Sequence, residues 1–304
     1  MTVATSGPTG FPAPPPLGVA ALPAGTFDGN SVLVTGGGTG LGLAIAVEFA
    51  RLGASLVLAS RSDEHLTTGA EVVRATGAEV IAVGCDIREP TDITRAFDSA
   101  NEAFGMPSVL INNAAANFPS PAEDLSPNAW RTVVDITLNG TFLCSREFAR
   151  RHLVAGTPAS ILNVAASYAW TGGPGFAHSA AAKAGVVNLV ETLAVEWGPA
   201  GIRVNGLVPG LMPHGEMTAD IRDNLDRTPN LDVCQPALRV GEPRELGWAA
   251  TFLSSPYAGF VSGHTMVVDG ANWQRRYLTS PPVVSIREQM GRGKFDPCDS
   301  QPEG

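Results

Sequence analysis

The chain has 304 residues, 44% of them hydrophobic, and a formal net charge of −9. That acidity excludes nonspecific nucleic-acid binding, which needs a basic surface to displace counterions, and no apolar run reaches the roughly 18 residues of a membrane span. Length and composition suit one soluble α/β domain of about 250 residues with a tail at each end.

Residues 1–25 are rich in Pro, Gly, Ala and Thr and carry no charge; they read as a flexible arm with too little buriable surface to order itself. Arg51 is the first basic residue, unlike a secretory signal or an organellar transit peptide, and the final QPEG is not a peroxisomal tripeptide, so a cytoplasmic location is expected. The folded domain, 26–274, begins near Phe27. Val, Ile and Leu runs follow at 31–35, 55–59, 79–84, 108–112, 160–164, 202–208 and 265–269. They are continuous and not alternating, as strands buried on both faces are. Between them, 41–53, 128–153 and 180–198 carry helical spacing. The pattern predicts an α/β, doubly wound fold: a seven-stranded, mostly parallel sheet with helices on both faces and ligands at the carboxyl ends of the strands. Residues 275–304 mix Pro, Arg and apolar residues without periodicity, a tail that packs on a neighbour or closes over substrate. Cys85, Cys144, Cys234 and Cys298 match neither a zinc pattern nor a disulfide framework, so free thiols are expected. No His, Cys or Glu cluster has metal-ligand spacing, and the chemistry is expected to be metal-free.

The first strand runs into TGGGTGLG at 35–42, where Gly36, Thr39, Gly40, Leu41 and Gly42 open a helix. Dinucleotide pyrophosphates need this arrangement: a tight turn without side chains, backbone N–H groups and a helix N-terminus. At the end of the second strand, where an NAD enzyme presents an acid to the ribose 2′-hydroxyl, stand Ser60 and Arg61. A hydroxyl and a guanidinium suit a 2′-phosphate, so NADP(H) is favoured. In the alternative, Arg61 is a solvated charge and Asp63 or Glu64 takes the hydroxyl. Asp86, followed by Ile87 after the third strand, is placed for the adenine amine, and Asn113 and Ala114 after the fourth lie beside the nicotinamide ribose.

TGGGTGLG, the CDI of 85–87, NNAAA at 112–116, Asn139, Lys183 and the Val208, Pro209 and Gly210 triplet together resemble the short-chain dehydrogenase/reductase superfamily, over about 28–272. NNAAANFPSPAEDLSPNAW at 112–130 and SYAWTGGPGFAHSAAAKAG at 167–185 resemble a narrower group, the 2,4-dienoyl-CoA reductases. Most members of the superfamily place Tyr four residues before the active-site Lys. Here that place holds Ser179, and Tyr168 stands fifteen positions ahead of Lys183. This resembles the mitochondrial-type dienoyl reductases more than the peroxisomal ones, which lack a Tyr at the place of Tyr168. The resemblance implies catalytic roles for Tyr168, Asn139, Ser179 and Lys183: Tyr168 and Asn139 donate to a developing enolate oxygen, Lys183 holds the nicotinamide ribose, and Ser179 bridges to the substrate oxygen or the ribose. It also implies an acyl-CoA substrate, protonation of the dienolate by solvent, and a homotetramer assembled through the helices of 128–153 and 180–197. Ser167 reads as structural, and His178 as polar surface without a role. The alternatives are a trans-2-enoyl-CoA reductase, a carbonyl reductase or alcohol dehydrogenase, or a dinucleotide-binding protein without catalysis.

Overall fold

The computed structural model describes residues 10–215, 217 and 234–275. Strands β1 (Ser31–Thr35), β2 (Ser55–Ser60), β3 (Val80–Gly84), β4 (Val109–Asn112), β5 (Ala159–Val164), β6 (Ile202–Pro209) and β7 (Thr265–Val268) form one sheet in the order β3-β2-β1-β4-β5-β6-β7. Every pairing is parallel. Successive side chains leave a strand on opposite faces, and the core divides accordingly. Val32, Val34, Leu56 and Leu58 pack with helices α1 (Gly40–Arg51), α2 (Asp63–Arg74) and α8 (Pro243–Ser254). Leu33, Val57, Leu110 and Ile161 pack with α3 (Pro90–Phe104), α5 (Gly140–Ala155) and α7 (Ala177–Trp197). Both faces being covered, β1 is buried at every residue, and its sequence has no polar alternation.

Between α4 (Pro127–Val134) and α5 lies a π turn, Asp135–Asn139, so 128–153 forms one helical rod with a wide turn inside it. A single wide turn rotates the residues around it off the regular helical face. Gly140 follows it and lies against Ile87, whose Cδ1 would stand 2.6 Å from a Cβ at that position. A four-residue helix, α6 (Tyr168–Thr171), links β5 to α7.

Part of the expected arm lies on the body. Phe11 N–H donates to the Ala237 carbonyl at 2.8 Å, and Arg239 and Arg244 donate to the Pro12 and Pro15 carbonyls at 3.0 and 3.3 Å. Ala20 and Leu22 pack against the first core cluster. The expected tail falls, from residue 276 on, outside the described residues. Among the described residues no helix is long and apolar enough to cross a membrane.

Candidate active site

The strand order reverses direction between β1 and β4, and a cleft of about 630 Å³ opens there at the carboxyl ends of the strands. Of the residues expected to hold a dinucleotide, Gly36, Thr39, Gly40, Leu41, Ser60, Arg61, Asp86, Ile87, Asn113, Ala114, Lys183 and Pro209 line it. Gly42 and Gly210 lie behind the wall. A Cβ on Gly42 would collide with the Gly36 carbonyl and the Asn113 amide, and one on Gly210 with Asp269, so both are sites of close backbone approach.

The cradle fits a dinucleotide. Gly36 takes the left-handed φ of +63° that turns the chain out of β1. Thr39, the N-cap of α1, makes no side-chain cap, and the first turn holds no acid. The opening N–H groups of α1 thus keep their donors for an anion, with the helix dipole behind them. Thr35 Oγ1 accepts from both Asn113 N and Ala114 N at 3.1 Å, which ties the β4 loop to β1. Arg61 lines the adenosine end, where Asp63 and Glu64 do not. The Asp86 carboxylate is gripped by the Arg88 side chain at 2.5 to 3.1 Å, and Arg88, then Arg61, hold its pKa below the usual carboxylate range. Both Asp86 oxygens accept from Arg88, at the wall of the cleft.

At the other end of the cleft Tyr168 and Lys183 come together with an amide that the sequence reading did not single out. The Tyr168 hydroxyl lies 3.0 Å from Ser179 Oγ and 3.5 Å from Asn117 Nδ2. Burial raises the phenol's pKa and the Ser179 hydrogen bond opposes that shift, so the group stays protonated at neutral pH. A phenol oxygen has one proton to give. Asn117 Nδ2 donates to that oxygen, and in the arrangement where Ser179 donates as well, the phenol proton points into the cleft. Lys183 is buried, donates to the Val164 carbonyl at 2.5 Å, and burial alone brings its pKa down to about 8.

Two expected site residues lie elsewhere. Asn139 is exposed, outside the cleft lining, and donates to Asp135 at 2.7 Å, because the π turn places it on the outer side of the rod. The amide beside Tyr168 belongs to Asn117, in NNAAANF, whose Oδ1 is buried without a partner. Ser179 is buried and does not line the cleft, and its hydroxyl meets Tyr168. Two further residues complete the wall's support. The Thr137 hydroxyl accepts from Ala116 N at 3.3 Å and so holds the Asn113 to Asn117 loop to the π turn. His178, expected on the surface, is fully buried with its ring edge-on to Phe118 at 4.6 Å. Ala166 lines the cleft and Ser167 does not, consistent with a structural Ser167.

The model of a family described as enoyl-(acyl carrier protein) reductase matches residues 36–271. A solved short chain dehydrogenase from Bacillus anthracis superposes with a TM-score of 0.72 at 39% identity, covering 80% of this chain and 95% of that one. The chain belongs to the short-chain dehydrogenase/reductase superfamily. Within it, the chain is 39% identical over 252 residues to a Bacillus subtilis protein named probable 2,4-dienoyl-CoA reductase, (2E)-enoyl-CoA-producing, a match that covers 82% of this chain and 98% of that protein. A mouse peroxisomal 2,4-dienoyl-CoA reductase, (3E)-enoyl-CoA-producing, is 39% identical over 245 residues, 79% of this chain and 82% of the other. A citronellol catabolism dehydrogenase from Pseudomonas aeruginosa superposes with a TM-score of 0.73 at 38% identity, over 84% of this chain and 99% of that one. Since one of these relatives is peroxisomal by name, the mitochondrial-type comparison rests on the position of Tyr168 alone.

Proposed function

We propose that the protein is an NADPH-dependent reductase of 2,4-dienoyl-CoA thioesters in unsaturated fatty acid oxidation. The observation that carries this reading is the donor set at the closed end of the cleft: a protonated Tyr168 backed by Ser179, the Asn117 amide beside it, and Ser179 on α7 where a ketone reductase would want Tyr. Likeness to relatives named for dienoyl-CoA reduction supports the substrate class.

NADPH, when bound, supplies a hydride. The open N-terminus of α1 suits its pyrophosphate, Ser60 and Arg61 its 2′-phosphate, and Lys183 its nicotinamide ribose hydroxyls. As a conjugated thioester is reduced at C5, negative charge moves to the thioester oxygen. Tyr168 O–H and Asn117 Nδ2 are the two preorganised donors that meet that charge. The Lys183 ammonium adds positive potential behind them. Protonating the dienolate at C2 leaves a 3-enoyl product, and at C4 a 2-enoyl product; the names of the relatives include both outcomes. Dienolates take a proton fastest next to the carbonyl carbon, so solvent protonation at C2 and a 3-enoyl product are the reading adopted.

A second reading, reduction of a simple carbonyl or oxidation of an alcohol, is favoured by the likeness to the citronellol catabolism dehydrogenase. NADPH and NADH oxidation measured against a panel of 2,4-dienoyl-CoA, 2-enoyl-CoA and ketone substrates separates the two. Turnover of ketones without dienoyl activity moves the protein to the carbonyl reductases, and cofactor binding without any turnover makes it a dinucleotide-binding protein. Exposed Phe142 and Val154 on α5 and Val195 on α7 support assembly through these helices, as a homotetramer.

A further inference from the structure

We infer that His178 is a positioning residue: its Nδ1, accepting the Ser179 N–H at 2.7 Å, fixes the turn of α7 that aims the Ser179 hydroxyl at Tyr168. The first N–H groups of a helix have no carbonyl four residues back, and buried ones are costly when left unpaired. α7 has no side-chain cap from its N-cap residue, Phe176, and Ser179, its third residue, is 1% exposed. Water does not serve that N–H. The imidazole of His178 does, from inside the helix start, in the neutral tautomer that carries its proton on Nε2.

The ring is held for this task. It is 0% exposed, and Phe118 closes over it edge-on, at an interplanar angle of 84°. Phe118 follows Asn117 in the chain as Ser179 follows His178, so two neighbouring pairs face each other: Phe118 against His178, and Asn117 and Ser179 on either side of the Tyr168 hydroxyl. Nε2 has no hydrogen-bond partner. A buried, half-satisfied imidazole is a poor choice for stability alone, since an apolar side chain of like size fills the space without that cost. Burial pushes the imidazole below its ordinary pKa, against an opposing pull from the Phe176 backbone, and so favours the neutral ring.

This inference rests on the reading of Tyr168 as the donor, and its test is built to fail separately. His178→Phe keeps an aromatic edge against Phe118 and removes the acceptor; His178→Asn supplies an acceptor near the Nδ1 position and removes the ring. With the best thioester found, His178→Phe is expected to lower kcat about tenfold with KM for the cofactor little changed, and His178→Asn to recover most of the loss. In a Ser179→Ala background His178→Phe is expected to add nothing, because the two act as one unit. A second readout needs no turnover: the ultraviolet titration of the Tyr168 phenol moves to higher pH in Ser179→Ala, moves the same way in His178→Phe, and moves no further in the double variant. Additive losses, or a Tyr168 titration untouched by His178→Phe, overturn the inference whatever the substrate proves to be. Should His178→Phe not fold, the Asn variant alone decides: a phenol titration like that of Ser179→Ala in a folded His178→Asn protein refutes the acceptor role.

Discussion

At the scale of single residues, the chemistry rests on one hydroxyl proton. The Tyr168 hydroxyl lies 3.0 Å from Ser179 Oγ and faces the cleft, so Tyr168→Phe removes a donor while leaving the ring and its stack on Phe176 in place. Loss of about 10² to 10³ in kcat, with KM little changed, is expected in steady-state assays. Asn117→Ala is expected to lower kcat in the same way, whereas Asn139→Ala, which removes a solvent-facing amide, should leave the rate within about twofold. Lys183 gives a pH dependence whose sign follows from its burial. Burial favours the neutral amine, so the ammonium is present below about pH 8 and lost above it. The kcat/KM profile therefore falls on its alkaline side near that value. Lys183→Arg, which stays charged, should abolish that limb even where it lowers the rate. At the adenosine end, Arg61→Ala should erode an NADPH preference of at least about tenfold, since a charged contact of about 1.5 to 3 kcal/mol goes with it. Equal efficiency with NADPH and NADH in the unaltered enzyme contradicts that assignment.

At the scale of elements, the strands were legible because each interior strand is covered on both faces, and β1, β2 and β4 carry apolar runs for that reason, while β5 and β6 interrupt theirs with Asn163, Arg203 and Asn205. The glycine turn was legible too, since a left-handed Gly36 and a close approach at Gly42 have few substitutes. The π turn was not. One wide turn leaves the apolar spacing of 128–153 nearly intact but changes which face a residue meets, by roughly 100° for each position of register. Thr137 thereby reaches the Asn113 to Asn117 loop, and Asn139, expected from the sequence at the site, is carried to solvent. Asn117 stood in a motif already recognised, but its distance to Tyr168 is set by two loops brought together by the fold. His178 was misread for the same reason, its cover, Phe118, coming from another loop. A second histidine ties α5 to the start of β4. His152 Nε2 stands 2.9 Å from the Pro107 carbonyl and must donate, so Nδ1 accepts from the Thr157 hydroxyl at 2.8 Å. Burial lowers its pKa below 6.5, so its stabilising contribution is complete above that value and lost as pH falls through the lowered native value. Thermal unfolding followed from pH 7.5 to about 5 should show a declining Tm, and His152→Gln should flatten part of the decline.

At the scale of the whole molecule, the arm is tied to the segment that leads into α8. Residues 11–15 bond to Ala237, Arg239 and Arg244, and Arg239 forms a paired contact with Glu245 at 2.7 and 2.8 Å near the start of α8. Assembly belongs to this scale as well: Val154 and Val195 are 91% and 80% exposed on α5 and α7. If these helices are the interface, Val195→Asp should reduce the mass seen by light scattering without lowering the helical content; an unchanged mass would place the contact elsewhere. The central claim is that hydride reaches a dienoyl thioester while Tyr168 and Asn117 hold its oxygen. The most direct measurement is the position of deuterium in the product formed from 2,4-dienoyl-CoA and NADPH deuterated at the transferring carbon. Our account predicts one deuterium at C5, one solvent-derived hydrogen at C2 and a double bond left at C3. Deuterium at C3, or no incorporation into a dienoyl thioester while a ketone gains deuterium at its carbonyl carbon, would contradict it.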